Sequence, residues 1–451
     1  MTASLQHAEK YDLRVPRYTS YPTAPHFTAE VDSATYGAWL SQLDQDAPLS
    51  VYVHIPFCDE MCWFCGCWTK IVKRYEPIRS YLDALHGEIR LIASLLPARM
   101  TLRHLHFGGG SPTMLAPADW LALTGLLGRS FTLADGCEIA VELDPRDTTE
   151  AYVAALAEAG VTRVSIGVQD FDAEVQRAIN RHQPFEVVER VTGWLRHHGI
   201  GEINLDLMYG LPHQTVTKVE AMVDLSLRLA PARVALFGYA HVPWMKSHQK
   251  LIDETALPDT QERLRQFDAA AARLLAAGYI AVGLDHFARP DDALGAALVA
   301  GRLRRNFQGY TTDDAPILLG FGASAIGTLP QGYVQNTQPL ADYRRSIEAG
   351  RLPTARGVAL SADDRLRRAI IERLMCTLRV DLHDLCREHG FAISTFEAEQ
   401  RRLISLAADG LVDLQDGRLT VTETGRRFVR IVAAAFDAYL QPGVARHSRA
   451  V

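Results

Sequence analysis

The sequence predicts an α/β protein in which a partial barrel of six strand–helix units precedes a smaller, mostly helical domain. Two observations predict this architecture. Short runs rich in β-branched and aromatic residues recur through residues 51–287, and most intervals between them have the apolar spacing of amphipathic helices. Strands that alternate with helices form parallel sheets joined by right-handed crossovers. Beyond residue 360 the pattern changes to helices followed by a hairpin.

Each predicted strand of the barrel is followed by a distinctive stretch of sequence. The predicted strands are 51–56, 104–107, 138–143, 163–168, 202–210, 233–240 and 280–287, and the clearest helices between them are 80–96 and 150–160. The first six strands end at a cysteine cluster (58–67), GGGSPT (108–113), ELDPRD (142–147), VQDF (168–171), DLMYGLP (206–212) and YAHVPW (239–244). Because function in such barrels lies at the carboxyl ends of the strands, we expect these stretches to surround one site.

The outer parts of the chain predict three further regions. We expect an N-terminal arm or lid over residues 1–48, the barrel over 49–290, a turn-rich extension and linker over 291–356, and a C-terminal helical domain over 357–451. The last region has predicted helices at 362–380 and 395–410 and a hairpin at 411–425, in the order of a winged helix. Winged helices often bind DNA, but the balanced charge here favours a packing or lid role.

Composition is that of an ordinary globular protein. The 451 residues are 48% hydrophobic and 22% charged, enough for two to three domains, and the formal net charge is −6 without long blocks of like charge. The electrostatic field of the protein therefore gives no reason to expect nucleic acid as a partner. The first 23 residues contain no apolar signal core, and no run of about eighteen apolar residues occurs, so we expect a cytoplasmic protein without membrane insertion.

Four of the seven cysteines lie in CDEMCWFCGC (58–67). Zinc favours two separated pairs of ligands, whereas Cys58, Cys62 and Cys65 are crowded at spacings of four and three, with Cys67 two residues further on. Three closely spaced thiolates suit three irons of a [4Fe-4S] cluster and leave the fourth iron open to a ligand. A structural zinc site and a dithiol redox pair are the alternatives. The remaining cysteines, Cys137, Cys376 and Cys386, are expected to be reduced and partly buried.

The C-x3-C-x2-C spacing, with Phe64 before the third cysteine, resembles the signature of the radical S-adenosylmethionine (SAM) enzymes. That resemblance implies a radical SAM barrel in which the open iron chelates the methionine part of SAM. One electron from the reduced cluster then cleaves the sulfonium bond, and the resulting 5'-deoxyadenosyl radical abstracts hydrogen from the substrate.

Further segments, in one order, resemble a narrower family. These are KYDLRVPRYTSYPT, YVHIPFC with CGC, HFGGGSPT, VELDPR, GVQDF, NLDLMYGLP, YAHVP, DHFARPDD and NFQGYTT. From about residue 10 onwards the chain is similar to oxygen-independent coproporphyrinogen III oxidases of the HemN type. The resemblance implies oxidative decarboxylation of the ring A and B propionates of coproporphyrinogen III to vinyl groups, giving protoporphyrinogen IX in haem synthesis. It also implies a monomer served by an electron donor of the flavodoxin or ferredoxin type.

The same resemblance implies two bound SAM molecules. Tyr52, Gly109, Glu142 and Ile326 should surround the cluster-bound molecule, and Phe64, Gly110, Ser111, Gln169, Arg181, Asp206 and Ala240 the second. Each assignment has a simpler alternative. The glycines could form only a tight turn with Ser111 as helix cap, Glu142 could be a solvated acid at a strand end, and Arg181 and Asp206 could form an internal salt bridge. Two positions depart from the family: Ser111 replaces threonine and Gly238 replaces asparagine.

Substrate contacts are less specific. A tetrapyrrole with four carboxylates needs basic donors around an apolar slot, and the candidates are Arg14, Arg17, Lys70, Lys73, Arg74, His286 and Arg289. Each could instead be a solvated surface charge. The N-terminal arm could close over the site as a lid, in which case deleting residues 1–23 should impair turnover and leave the iron content intact.

Three other functions remain as rivals. A haem-trafficking protein of the same superfamily would share the three-cysteine motif but typically lacks the fourth cysteine and the long arm. A radical SAM enzyme could act on another substrate, which product mass would show. A structural zinc protein would be colourless and free of iron.

Overall fold

A computed structural model describes residues 13–440 together with His7, Lys10 and Tyr11. Its strands are β1 (Leu49–Ile55), β2 (Phe57–Cys58), β3 (Lys70–Ile71), β4 (Thr101–Gly109), β5 (Thr132–Leu143), β6 (Arg163–Gln169), β7 (Glu202–Tyr209), β8 (Arg233–Gly238), β9 (Ile280–Val282), β10 (His286–Ala288), β11 (Arg304–Asn306), β12 (Gly309–Thr311), β13 (Ile317–Phe321), β14 (Ile326–Leu329), β15 (Gly332–Asn336), β16 (Thr354–Ala359), β17 (Arg379–Asp381), β18 (Val412–Gln415) and β19 (Arg418–Val421).

The helices alternate with these strands through the first half of the chain. They are α1 (Ser33–Ser41), α2 (Glu76–Leu95), α3 (Pro117–Ser130), α4 (Glu150–Glu158), α5 (Ala173–Ala178), α6 (Phe185–His197), α7 (Val216–Arg228), α8 (Thr260–Ala276), α9 (Ala293–Val299), α10 (Leu340–Glu348), α11 (Ala362–Thr377), α12 (Leu382–His389), α13 (Glu397–Ala408) and α14 (Val429–Ala434). Short 3-10 helices occupy Ala24–His26, Pro112–Met114, Ser247–Leu251, Glu254–Ala256, Ile393–Phe396 and Arg426–Phe428.

One sheet organises the larger part of the molecule. Its strand order is β16-β15-β14-β13-β1-β4-β5-β6-β7-β8-β10-β9. The strands from β13 to β8 in that order are parallel to their neighbours. Strands β1 and β4 to β8 follow one another in chain and in sheet, which confirms the predicted partial barrel of six strand–helix units. Strand β1 is buried at six of its seven positions, as expected for a parallel strand covered on both faces.

Local sequence explains where the helices begin. Thr149 accepts a hydrogen bond from the backbone amide of Tyr152 and caps α4, and Asp259 caps α8 in the same way through Glu262. Helix α2 begins at Glu76 with proline in its first turn, which needs no amide donor there. Its apolar face is then buried, and the buried apolar residues are Ile78, Tyr81, Leu82, Ala84, Leu85, Ile89 and Ile92.

Two strands differ from the prediction. The run 280–287 is not a seventh parallel strand, because Gly283, with φ +57°, turns the chain and β10 pairs antiparallel with β8. The seventh parallel strand is β13, which lies beside β1. Its five residues are all buried, so the sequence ILLGF offers no alternation of polar and apolar positions from which to predict a strand.

The C-terminal region has its own apolar core. Helices α11 to α14 and the three-stranded sheet β17-β19-β18 surround it, and α12 is a helix that the sequence did not predict. The N-terminal arm contributes to the same core through Tyr11, Val15, Tyr18 and Tyr21. Among the described helices, none combines the length and the apolar character required to cross a bilayer.

Candidate functional site

The stretches predicted to surround one site lie along one edge of the sheet. Strands β1 and β4 to β8 are parallel neighbours, so their carboxyl ends point the same way. The cysteine loop, residues 58–67, leaves this edge after β1. It returns through the β2–β3 pair, in which the amide of Lys70 donates to the carbonyl of Pro56 at 2.7 Å. The loop is therefore closed at its base and held over the barrel mouth.

Neighbouring segments fix the top of the cysteine loop. Asn180 donates to the carbonyl of Met61 at 2.9 Å, and the amide of Trp63 donates to the carbonyl of Ile179 at 3.0 Å. On the other side, His248 lies 2.8 Å from the carbonyl of Cys65 through its Nε2 atom. These bonds use backbone groups of the loop and therefore leave its cysteine sulfurs unoccupied by them.

The four thiols of the loop have different surroundings. Cys62 is buried, and its sulfur accepts hydrogen bonds from Arg146 at 3.4 Å and Arg181 at 3.5 Å. Burial raises the pKa of Cys58 to about 12. The pKa of Cys65 is lowered to about 6, chiefly because Cys67 donates a hydrogen bond to its sulfur. Metals bind cysteine in its thiolate form. The arginines beside Cys62 stabilise a negative charge on that sulfur, and the positive charges of Lys246 and His248 do the same for Cys65.

The glycine run lies directly beside the cysteine loop. The amide of Gly110 donates to the carbonyl of Ile55 at 2.8 Å. A Cβ on Gly108 would lie 2.6 Å from the Glu142 carboxylate. Gly109 has φ +116°, and a Cβ there would lie 2.6 Å from the ring of His54, so side chains are excluded at both positions. Ser111 does not cap the following 3-10 helix, since its hydroxyl hydrogen-bonds to that of Thr113.

Glu142, near the end of β5, contacts the glycine run and the neighbouring strand β4. Its carboxylate accepts a hydrogen bond from the amide of Gly109 at 3.2 Å and lies 3.1 Å from Nε2 of His106. Burial opposes ionisation, but the hydrogen bond and charge of His106, the amide of Gly109 and the charge of His54 together lower the pKa of Glu142. Tyr52 stacks on His106 and hydrogen-bonds to His54 at 3.0 Å. The histidines were not predicted as site residues. Glu142 is hydrogen-bonded by the protein, although 39% of its side chain is exposed to solvent.

Asp206 on β7 is a partly buried acid with neutral partners. It accepts hydrogen bonds from Ser165 at 3.0 Å and Asn204 at 2.7 Å. Burial raises its pKa to about 6, and the charge of Glu142 adds to the shift. A carboxylate held in this way gains from a cationic or hydroxyl-bearing ligand, which would replace its lost hydration.

Arg181 pairs with Asp144 at 3.0 Å, so the alternative of an Arg181–Asp206 salt bridge is wrong. Arg146 completes the group by binding Asp144 at 2.6 Å. The Nε atom of Arg181 is buried and has no hydrogen-bond partner among residues 13–440. Gln169, nearby on β6, has φ +68°, a left-handed conformation that non-glycine residues adopt chiefly where the surroundings enforce it.

Comparison with known proteins agrees with this geometry. The model of the radical SAM superfamily matches residues 52–226, and that of the HemN C-terminal domain matches residues 360–428. The oxygen-independent coproporphyrinogen III oxidase of Bradyrhizobium diazoefficiens is 53% identical and covers 97% of each chain; that of Paracoccus denitrificans is 45% identical over 100% of this chain and 99% of its own.

A solved structure extends the likeness to the whole fold. Coproporphyrinogen III oxidase (HemN) from Escherichia coli superposes with a TM-score of 0.90 at 38% identity, covering 95% of this chain and 100% of that chain. This chain belongs to the oxygen-independent coproporphyrinogen III oxidase family. The family is part of the radical SAM superfamily, whose members use a [4Fe-4S] cluster and SAM.

The donor set of the cysteine loop is sulfur, which suits the irons of an iron–sulfur cluster. Within the part of the chain that the structure describes, no three His, Cys, Asp or Glu side chains are grouped closely enough to hold one metal ion. Burial raises the pKa of Cys58 most, and the charges of Cys65 and Cys62 both raise it further. All seven cysteines are free thiols.

The remaining residues that the family resemblance implies lie at the same mouth. Phe64 packs in an apolar cluster with Tyr239, and the carbonyls of Phe64 and Ala240 both accept from Gln249. Ile326 lies on β14, where its carbonyl would be 2.6 Å from a Cβ on Gly320, the residue paired with Tyr52. The structure thus brings each implied SAM contact to the carboxyl edge of the sheet.

The substrate candidates lie in three separate places. Arg14 and Arg17 line a cavity of about 660 Å3 at the carboxyl ends of β7 and β8, and His286 contacts Phe237 on its wall. Lys70, Lys73 and Arg74 lie on the exposed outer side of the cysteine loop, and Lys73 pairs with Asp59. Arg289 lies at the opposite end of β8, because β10 runs antiparallel, and it pairs with Asp291.

The departure at Gly238 has a local explanation. A Cβ there would lie 2.8 Å from the hydroxyl of Tyr209, and the carbonyl of Gly238 accepts a hydrogen bond from Arg17 at 3.2 Å. Tyr209 and Arg263 therefore occupy the space into which an asparagine side chain would extend.

Proposed function

We propose that the protein is an oxygen-independent coproporphyrinogen III oxidase of haem biosynthesis. It converts the ring A and ring B propionates of coproporphyrinogen III to vinyl groups and yields protoporphyrinogen IX. The observation that carries the proposal is the three-cysteine loop beside a glycine turn at the carboxyl edge of a parallel sheet. It occurs here in a chain 53% identical, over 97% of its length, to an enzyme of that name.

Cys58, Cys62 and Cys65 would hold the cluster. When bound, the cluster and SAM supply a 5'-deoxyadenosyl radical that takes a hydrogen atom from the substrate. The protein contributes hydrogen-bond donors to two of the ligand sulfurs: Arg146 and Arg181 donate to the sulfur of Cys62, and Thr69 donates to that of Cys58 at 3.2 Å.

The first SAM would lie against Gly109, with Glu142, Tyr52 and Ile326 around it. The absence of side chains at Gly108 and Gly109 lets the Glu142 carboxylate and the His54 ring pack against the backbone there. Glu142 is held by His106 and the amide of Gly109, so its carboxylate is oriented before the ligand arrives.

A second SAM would occupy the side of the mouth formed by β6, β7 and the end of β8. Its contacts would be Phe64, Gly110, Ser111, Gln169, Arg181, Asp206 and Ala240. The unpartnered Nε of Arg181 offers a donor to a carboxylate, and Asp206 offers an acceptor to an ammonium group or to ribose hydroxyls.

The chemistry balances for each propionate. The side chain loses a hydrogen atom from its β-carbon, one molecule of carbon dioxide and one further electron, and a vinyl group remains. An electron donor of the flavodoxin or ferredoxin type reduces the cluster, and a separate acceptor takes the last electron. The protein acts as a cytoplasmic monomer, with neither nucleic acid nor membrane as a partner.

The decisive experiment is an anaerobic incubation with SAM, a reductant and coproporphyrinogen III. We expect protoporphyrinogen IX together with carbon dioxide and 5'-deoxyadenosine, each in a 2:1 ratio to the porphyrinogen product, as two propionates react. The Cys62→Ser variant is the control and should form none of these three products. If the protein binds haem in a separate titration but decarboxylates nothing, it is a trafficking protein instead. If it acts on a different compound, the product has a different mass.

A further inference from the structure

The cavity at the carboxyl ends of β7 and β8 is assembled from four separate parts of the chain. Arg17 comes from the N-terminal arm, Arg263 from α8, Arg305 from β11 and Arg430 from α14. Its volume of about 660 Å3 falls within the range of sites for small organic ligands. Ala240, an implied contact of the second SAM, also lines it, so the cavity adjoins the cofactor region.

The lining carries more positive charge than its own carboxylates balance. Six arginines line the cavity, against three acids: Arg14, Arg17, Arg263, Arg305, Arg427 and Arg430 against Glu254, Asp259 and Asp285. Arg427 is neutralised by Asp268, which lies outside the lining and is 3.0 Å away, so five arginines remain in the comparison. Two of these acids are engaged elsewhere, because Glu254 binds His241 at 2.9 Å and Asp259 caps α8. Of the three acids, Asp285 remains to balance the charge of the lining arginines, and it also binds His286 at 2.7 Å.

Three of the arginines lie close enough to repel one another. Arg305 donates to the carbonyl of Arg17 at 3.4 Å, and Arg430 donates to the carbonyl of Pro16 at 3.0 Å. Burial lowers the pKa of Arg430 to about 9, and the charges of Arg17 and Arg305 add to the shift. The Nε and Nη1 atoms of Arg305 are buried without a hydrogen-bond partner in the described part of the molecule. Such a cluster is stabilised by anions.

The walls between the charges are apolar. The apolar lining residues are Leu236, Phe237, Trp244, Leu257, Leu264, Phe267 and Leu284. A ligand that fills the cavity must therefore combine a hydrophobic body with carboxylate-like groups at its periphery. Phosphorylated sugars and free nucleotides present too little apolar surface for these walls, whereas a tetrapyrrole with several propionates presents both features.

We propose that this cavity binds the propionates of the substrate that are not reacting, with Arg17 and Arg305 as their ligands. The assignment rests on the proposed function and deepens it. Each carboxylate would accept charge-assisted hydrogen bonds from a guanidinium. Since the four propionates are fixed on one macrocycle, anchoring some of them places another at the cofactor side of the mouth. The cavity would thereby select which side chain reacts.

The test measures binding separately from turnover. Coproporphyrin III, the stable fluorescent oxidation product of the substrate, is titrated into reconstituted holoenzyme of the wild type and of Arg17→Gln, Arg305→Gln and Arg90→Gln. Arg90 is an exposed arginine on α2 and serves as the matched control. We expect the dissociation constant to rise at least tenfold for Arg17→Gln and Arg305→Gln, and to stay within twofold for Arg90→Gln.

A ligand comparison isolates the carboxylates. The tetramethyl ester of coproporphyrin III keeps the macrocycle and loses the charges, so the wild type should bind it at least tenfold more weakly than the free acid, with little further loss in Arg305→Gln. In turnover, the KM for coproporphyrinogen III should rise more than kcat falls. Melting temperature and iron content establish that each variant is folded.

The outcomes distinguish this inference from the proposed function. If the wild type decarboxylates coproporphyrinogen III but both glutamine variants bind coproporphyrin III as the wild type does, the cavity assignment is overturned and the function stands. If the wild type neither binds coproporphyrin III nor decarboxylates the porphyrinogen, the function itself fails, and the cavity assignment fails with it.

Discussion

At the scale of single residues, Asp206 and Asp144 are two carboxylates at one edge of the sheet with opposite electrostatic environments. Burial raises the pKa of Asp206 to about 6, whereas Arg181 and Arg146 overcome burial at Asp144 and lower its pKa to about 2. An acid with a raised native pKa holds a proton that the unfolded chain releases. The stability contributed by Asp206 therefore falls as pH rises from about 4 to about 6, by about 3 kcal/mol.

Replacing these acids should therefore change stability in opposite directions. We expect Asp206→Asn to raise the free energy of unfolding at pH 8 by up to about 3 kcal/mol, while SAM binding and turnover are lost. Asp144→Asn should lower it by about 2–4 kcal/mol, because two buried guanidinium groups lose their partner. Denaturant unfolding at pH 5 and pH 8 measures both effects. A less stable Asp206→Asn protein at pH 8 would contradict the environment derived for this group.

The glycine turn predicts a matched pair of alanine variants. In Gly109→Ala the new Cβ would meet the His54 ring at a φ of +116°, so we expect a loss of about 1–3 kcal/mol in stability and a large loss of SAM affinity. Gly128, on α3, has open space around the Cβ position. Gly128→Ala should be stabilising by about 0.5–1 kcal/mol and should bind SAM normally, as equilibrium dialysis and thermal unfolding would show.

Residue types with a fixed spacing could be predicted from the sequence, and their spatial partners could not. The spacing of Cys58, Cys62 and Cys65 predicts that they are the cluster ligands, and the glycines were predicted from the need for close approach. Asp144 escaped prediction although ELDPRD was singled out, because its role depends on Arg181, 37 positions further along the chain. His54 and His106 alternate with core residues on their strands, and that pattern does not distinguish a site residue from a buried one.

At the scale of elements, Glu88 attaches helix α2 to the far edge of the sheet. It is fully buried and accepts hydrogen bonds from the amide of Gly322 at 2.7 Å, from Asn336 at 2.6 Å and from Tyr343 at 2.6 Å. Burial raises its pKa to about 7, but the three donors oppose the shift. The contacts connect α2 to the loop after β13, to β15 and to α10.

Removing the Glu88 carboxylate should destabilise the edge of the sheet formed by β13 to β16. We expect Glu88→Leu to lower the free energy of unfolding by about 2–4 kcal/mol, because three buried donors lose their partner. Hydrogen exchange should increase at the amide of Gly322 and in β14 to β16. The exposed Arg90 on the same helix supplies the comparison, since Arg90→Ala should change stability by less than about 0.5 kcal/mol. Equal effects of the two substitutions would refute the role assigned to Glu88.

Helices and strands were predicted correctly where polar and apolar residues alternate with a regular period. The prediction failed where a segment is buried on all sides and has no such alternation. Helix α2 has a continuous apolar face, and the strands of the barrel each end at a polar motif. Strand β13 is buried at every position, so no alternation marks it. The run 280–287 was predicted as one strand because its residues are β-branched and aromatic, but Gly283 reverses the chain within it. The pairing partner of such a segment is a tertiary property.

At the scale of the whole molecule, the N-terminal arm is a structural part of the C-terminal domain. Tyr21 is 1% exposed in that core, and its hydroxyl accepts a hydrogen bond from the amide of Ala438 at 3.0 Å; Tyr18 donates to Asp437 at 3.0 Å. Deleting residues 1–23 would therefore expose the domain core as well as remove Arg17 from the cavity. The deletion cannot by itself test a lid role.

Single substitutions separate packing from ligand binding. Tyr21→Ala should destabilise the protein by about 3–5 kcal/mol and increase proteolysis of the C-terminal region. Leu13, which is 50% exposed on the same arm, is the control, and Leu13→Ala should leave the unfolding midpoint nearly unchanged. If Tyr21→Ala were as stable as Leu13→Ala in calorimetry, the arm would not be part of the domain core.

The outer surface of the cysteine loop predicts how the electron donor approaches. Cys67, Lys70, Ile71 and Arg74 are exposed there, so the loop that would hold the cluster is close to solvent on a partly basic face. A donor protein with an acidic face would be steered towards it, and salt would screen the attraction. A small reductant such as dithionite needs no such docking.

Charge reversal on this face should therefore affect one reductant and spare the other. We expect Arg74→Glu to slow turnover driven by reduced flavodoxin severalfold at low ionic strength, with the difference from the wild type shrinking at 0.3 M salt. Dithionite-driven turnover should stay unchanged, because Arg74 is exposed and is not one of the residues that line the cavity. Arg90→Glu makes the same charge change on α2 and should leave both rates at the wild-type value. Equal slowing by the two substitutions would show that net charge, and not this face, controls electron delivery.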